Sequence, residues 1–165
     1  MVDDAIAAIQ HFLQTKGIRL IEAPIPEDTF LPGIRLGPDC IYVDYDRLKY
    51  PGDLLHEAGH LAVATPENRQ KAGTAQQLPD WPDAGEEMAA ILWSYAAALE
   101  SGTSLDLLFH EDGYKGGSEW LKQSLMDGNY IGLPMLEWIG LAAGPQLAAE
   151  KNVEPFPHMI KWMRD

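Results

Sequence analysis

The chain has 165 residues, a length that suits one domain with a sizeable core. Hydrophobic residues make up 46% and charged residues 22%, as in soluble globular proteins, and the formal net charge is −13. That charge argues against a nucleic-acid groove, which needs clustered Lys and Arg, and against an anionic membrane surface.

Taken in order, Ile6, Ile9, Phe12 and Leu13 recur at helical spacing and predict a helix over 3–16, with Gly17 as its stop. "IRLIEAPI" reads as a short strand ended by prolines, and "PEDTFLPG" as a loop. "IRLG" and "CIYVDYDRL" read as two extended segments around the turn "GPD". In the second, Tyr42, Asp44 and Asp46 alternate with Ile41, Val43 and Tyr45, which predicts one wet face. Asp53 is placed to cap a helix over 54–64, ended by "TPE". Residues 67–82 are polar and read as a surface loop. A second, strongly apolar helix is predicted over 84–100, with Gly102 as its end.

Glycine and proline punctuate the remainder. "SLDLLFH", "SEWLKQSLMDG", "MLEWIGLA" and "PFPHMIKWM" read as short helices, with Ser118 starting the second, and "EDGYKGG" reads as a loop. "NYIGLP" reads as extended. The expectation is an α+β fold in one domain over 1–165, mostly helical, with a small N-terminal sheet.

Two features bear on setting. Cys40 is the only cysteine, so no intramolecular disulfide is possible and no oxidising compartment is needed. The first residues carry Asp3 and Asp4 where a secretory leader would be basic, and the longest apolar run, "MAAILWSYAAAL", falls short of the roughly 20 residues that span a bilayer. The expected localisation is cytoplasmic.

The segment "LLHEAGHLAV" carries the chemistry. A helix turns about 100° per residue, so His56 and His60 share one face and can address one ion. Glu57 lies one residue past the first histidine, where its carboxylate can reach a water without binding the metal. A catalytic zinc has three protein ligands and an open position for water, whose pKa it lowers to about 7. Leu54, Leu55, Leu61 and Val63 mark the helix as buried, where unpaired histidines are unfavourable. The alternative is two buried histidines hydrogen-bonded to backbone. Gly59 inside the helix predicts that another backbone or a ligand passes close by.

The third ligand should come from the second helix, whose first carboxylates are Glu86 and Glu87. Asp83 and Glu86 have capping-box spacing, which engages Glu86 at the helix start and leaves Glu87 to face the metal. Glu87 is therefore the first choice and Glu86 the second. Tyr114 or His110, in "FHEDGYKGG", could donate to the oxyanion of a tetrahedral intermediate if that loop folds over the zinc. "CIYVDYDRL" and, less well, "NYIGLP" could offer an extended edge to substrate backbone. Trp93, Trp120, Trp138 and Trp162 stand at helical positions and are expected in the core. His11 is expected on a helix surface.

"HEAGH" followed by "EEMAAILWSYAAA" resembles the glutamate zincins, zinc metallopeptidases of the gluzincin type. Size and element order over 17–100 are similar to the compact ImmA/IrrE-type domains. The resemblance implies a zincin-like fold, Zn2+ held by His56, His60 and Glu87, Glu57 as general base, and a peptide or protein substrate. The competing expectation is a non-catalytic zincin-like binding or regulatory domain with structural or no metal.

Overall fold

A computed structural model describes residues 2–165. The described residues form an α+β fold of eight helices and one three-stranded sheet. Helix α1 (Val2–Thr15) buries Ile9, Phe12 and Leu13, the stripe that the sequence spacing predicts. Strands β1 (Arg19–Glu22), β2 (Ile34–Gly37) and β3 (Cys40–Val43) follow. The sheet order is β1-β3-β2, with β1 parallel and β2 antiparallel to β3. Strand β3 is therefore central. Both of its edges are paired, so it cannot offer an edge to substrate as its sequence suggested. It also stops earlier than expected. The Asp44 carboxylate accepts from the backbone amides of Ile25 at 2.9 Å and Asp46 at 3.2 Å, which turns the chain at the end of the strand.

Helix α2 (Asp53–Val63) carries the histidine motif. Asp53 does not cap it. Gly52 occupies the cap position, and Asp53 is the first helical residue, buried, with its side chain directed elsewhere. The segment expected as irregular contains helix α3 (Pro66–Lys71), in which Thr65 accepts from the Asn68 amide and Pro66 opens the first turn. Helix α4 (Ala84–Ser101) starts at Asp83, whose carboxylate accepts from the Glu86 amide at 2.8 Å, and ends at Gly102 in the left-handed conformation. Residues Ala89 to Ala98 are all buried, so α4 runs through the centre of the core.

Helices α2 and α4 pack directly on each other. A Cβ at Gly59 would stand 2.7 Å from Ala90 O and 3.2 Å from Ala90 Cα. The passing element that Gly59 predicted is thus the α4 backbone, and no larger residue allows this approach.

The remaining elements are α5 (Leu105–Leu108), a 3-10 turn (Tyr114–Gly116), α6 (Ser118–Met126), α7 (Leu133–Trp138) and α8 (Pro145–Lys151). Ser118 does not cap α6; its hydroxyl donates to Gly113 O. The segment "PFPHMIKWM" is not helical. Met159 forms an antiparallel bridge with Ala142, and Pro155 and Pro157 lack the amide donors a helix would use. "NYIGLP" is a turn leading into α7, and its Tyr130 packs on Tyr95 and Phe156. Trp93 is fully buried and packs with Phe12 and Trp162. Trp120 and Trp138 are instead 66% and 74% exposed, contrary to expectation. Trp138 lies against the Arg164 guanidinium. No described helix is long and apolar enough to cross a membrane.

Candidate metal centre

The α2–α4 crossing brings three side chains to one point. His56 Nε2 and His60 Nε2 stand 3.1 Å apart. Glu87 Oε1 is 3.2 Å from His56 Nε2, and Glu87 Oε2 is 3.1 Å from His60 Nε2. These ring nitrogens face each other and a carboxylate rather than backbone carbonyls. The backbone partners expected of a metal-free histidine pair are thus not the ones these nitrogens meet.

Glu87, not Glu86, meets the histidines. Glu86 sits beside the cap residue Asp83, and its Oε2 is buried with no hydrogen-bond partner among the described residues. Burial, helped by Asp83, raises its carboxyl above the ordinary range. Glu57 is also near: its carboxylate and the two imidazoles all lie within 4.8 Å of one another, and His56, Glu57 and His60 could together hold a metal ion. The shorter contacts from one carboxylate to both imidazoles favour Glu87 as the third ligand. Glu57 is then the neighbouring carboxylate.

The electrostatics separate the two acids. Burial alone would raise the Glu87 carboxyl, but His56 and His60 reverse this and hold it well below the usual carboxylate range. Burial raises the Glu57 carboxyl, and the nearby Glu87 and Asp53 add to it against the pull of both histidines. Burial disfavours the His56 imidazolium, yet Glu87, Glu57 and Asp53 outweigh it and raise its pKa.

The loop "FHEDGYKGG" does fold against the site, through its Tyr114. The Tyr114 hydroxyl stands 3.3 Å from His56 Nδ1, the ring nitrogen not engaged with Glu87. The sequence expected an oxyanion donor here. The geometry gives the hydroxyl a different partner, the back of a candidate ligand. Burial pushes this phenol far above its usual range, with the carboxylates of Asp53, Glu87 and Glu57 helping, so it stays neutral.

His110 likewise finds a partner other than substrate: its Nε2 donates to Asp53 Oδ1 at 2.7 Å. Sequence reasoning missed this role for Asp53. One signal was available: Asp53 precedes His56 by one helical turn and so shares its face. Ser94 of α4 donates to Ile91 O within its own helix and also lies in hydrogen-bonding reach of the Tyr114 hydroxyl. His11 is exposed, as expected.

No protein-family model, curated protein or solved structure matches this chain.

Proposed function

We propose that the protein is a zinc-dependent hydrolase of the metallopeptidase type, acting on an amide bond in a peptide or protein. The observation that carries this reading is the triangle of His56 Nε2, His60 Nε2 and the Glu87 carboxylate, with contacts of 3.1–3.2 Å. Donors bound to one tetrahedral zinc at about 2.0–2.1 Å stand roughly 3.3 Å apart, so the triangle fits the ion. Two imidazole nitrogens this close cannot both point protons at each other, whereas one cation satisfies both lone pairs and the carboxylate. The donor set of two histidines and one glutamate is that of catalytic zinc sites with an open fourth position. It also accords with the gluzincin resemblance of the motif.

Zinc held by His56, His60 and Glu87 would supply Lewis acidity and lower the pKa of a water in the fourth position to about 7. The chain's own residues do the rest. Glu57 accepts the proton of the attacking water and delivers it to the leaving amine nitrogen as the carbon–nitrogen bond breaks. Its raised pKa suits a group that must take and then release a proton. Tyr114 accepts from His56 Nδ1–H and so fixes the tautomer that leaves Nε2 free for metal. A cytoplasmic setting accords with Cys40, which is buried as a free thiol.

Metal analysis combined with Glu57→Gln tests the proposal. The purified protein should hold about one zinc per chain. Glu57→Gln should retain that zinc while peptide hydrolysis falls by about 10²–10⁴-fold. A protein without stoichiometric metal would instead be a binding or regulatory domain. Normal turnover by the variant would overturn the mechanism.

A further inference from the structure

We infer that Asp53 and His110 act as a positioning pair that seats Tyr114 against His56. This inference rests on the zinc reading above and assigns how its outer shell is held. Asp53 and His110 are paired at 2.7 Å, with side chains only 9% and 11% exposed. Asp53 Oδ2 and His110 Nδ1 have no hydrogen-bond partner among the described residues. A buried, partly satisfied pair is weak as a source of stability. Helix capping does not explain it either, since the Asp53 side chain makes no cap bond.

What the pair does accomplish is attachment. His110 opens the loop that carries Tyr114. The His110 ring is held on one side by Asp53 and stacks on Tyr50 at 3.7 Å between centroids and 4° between planes. From there the loop is tied to itself: the Gly113 amide donates to His110 O, the Gly116 amide to Gly113 O, and Ser118 Oγ to Gly113 O.

Tyr114 and Lys115 both adopt positive φ, 51° and 55°. Non-glycine residues hold that conformation only where the surroundings enforce it. The loop therefore grips α2 at two points one turn apart, His110 on Asp53 and Tyr114 on His56. Gly52 makes room for the grip, since a Cβ there would collide with Leu107 O, in the α5 helix that leads into His110. The pair thus acts on the metal through Tyr114 and His56, by holding the loop that carries Tyr114, and touches neither metal nor substrate.

Cobalt titration of the full chain tests this by double-mutant comparison. Tyr114→Phe and His110→Phe should each weaken Co2+ binding by about 10–100-fold, the range for lost outer-shell partners of a ligand. The double variant should be no weaker than either single one. Asp53→Asn, which still accepts from His110, should keep near wild-type affinity. Losses that multiply in the double variant, or a His110→Phe protein that melts lower but binds Co2+ normally, would overturn the inference. Should His110→Phe fail to fold, Asp53→Ala/His110→Phe removes both partners, leaves no lone buried charge and takes its place in the comparison.

If the wild type binds no Co2+, the zinc reading fails, and the positioning pair is then judged on the metal-free protein by imidazole nitrogen NMR. His110→Phe should move the His56 Nδ1 resonance in the same direction as Tyr114→Phe. An unmoved resonance would refute the pair.

Discussion

Arg69 and Arg164 meet at the C-terminal end of the motif helix, where Arg69 Nη2 donates to Arg164 O at 2.7 Å. Between them they satisfy the carbonyls that end α2. Arg69 donates to Leu61 O at 2.8 Å and Ala64 O at 3.0 Å. The Arg164 amide donates to Ala62 O at 2.9 Å, and its guanidinium to Val63 O at 3.1 Å. A helix leaves its last four carbonyls without internal partners, and here two side chains and one amide from outside the helix serve them. The clasp fixes the end of α2, which closes at Val63, within one turn of His60.

Arg69→Met should therefore lower the unfolding free energy by about 3–5 kcal/mol, since it leaves buried acceptors without donors. Urea denaturation measures this. A loss under about 1 kcal/mol would mean that the clasp is replaceable by solvent.

Gly59→Ala pits local propensity against packing. In an open helix the change would stabilise by about 1 kcal/mol. Here the new Cβ meets the Ala90 carbonyl, so the variant should lose about 1–3 kcal/mol instead. It should also bind zinc more weakly, because moving α4 away carries Glu87 from the histidines. Denaturation and metal titration on one preparation check both effects.

The adjacent glutamates should separate cleanly. Glu87→Gln removes the carboxylate that meets both imidazoles and should weaken zinc binding by more than the roughly 100-fold expected for an outer-shell loss. Glu86→Gln should leave zinc affinity within about threefold of wild type. Competition against a fluorescent chelator reads both variants.

Acid–base linkage gives a further expectation for the metal-free protein. Burial raises Glu57 above its ordinary 4.5, so the folded state holds that proton more tightly than the unfolded state. The stability Glu57 contributes is thus full below 4.5 and is lost as pH rises through the folded value. Glu57→Gln, neutral throughout, should melt close to wild type near about pH 4 and above it at about pH 7. A variant less stable than wild type at neutral pH would show that the buried carboxylate is not penalised. The expected result makes Glu57 a group kept at a cost in stability, as residues poised for chemistry are.

The parts of this account legible in the sequence are those set by local rules. Four-residue spacing puts His56 and His60 on one face, and Gly59 announces a close neighbour. Asp83 caps α4 through the Glu86 amide, but the Glu86 carboxylate forms no capping box, so the spacing pointed to Glu87, the glutamate that meets both imidazoles, for a reason the structure does not bear out. Even α3 had a local signal, threonine followed by proline, that the polar composition of 67–82 concealed.

Contacts between distant segments leave no periodic trace. Asp53 looked like a cap because its partner His110 lies 57 residues away. Arg69 falls in the segment that reads as a surface loop, because its partner Arg164 lies 95 residues away. Helical spacing likewise says nothing about which side of a short helix faces the core, and so Trp120 and Trp138 were assigned to the inside when they point out. Strand β3 could not be seen as central from its own residues, because pairing on both edges is a property of the sheet.

Anomalous diffraction at the zinc edge, from crystals of the protein grown with Zn2+, would locate the ion among these side chains. One peak per chain is expected at about 2.0–2.2 Å from His56 Nε2, His60 Nε2 and a Glu87 oxygen, with Glu57 outside bonding distance. A peak bound by Glu57 in place of Glu87, or no peak between α2 and α4, would contradict the proposed zinc site.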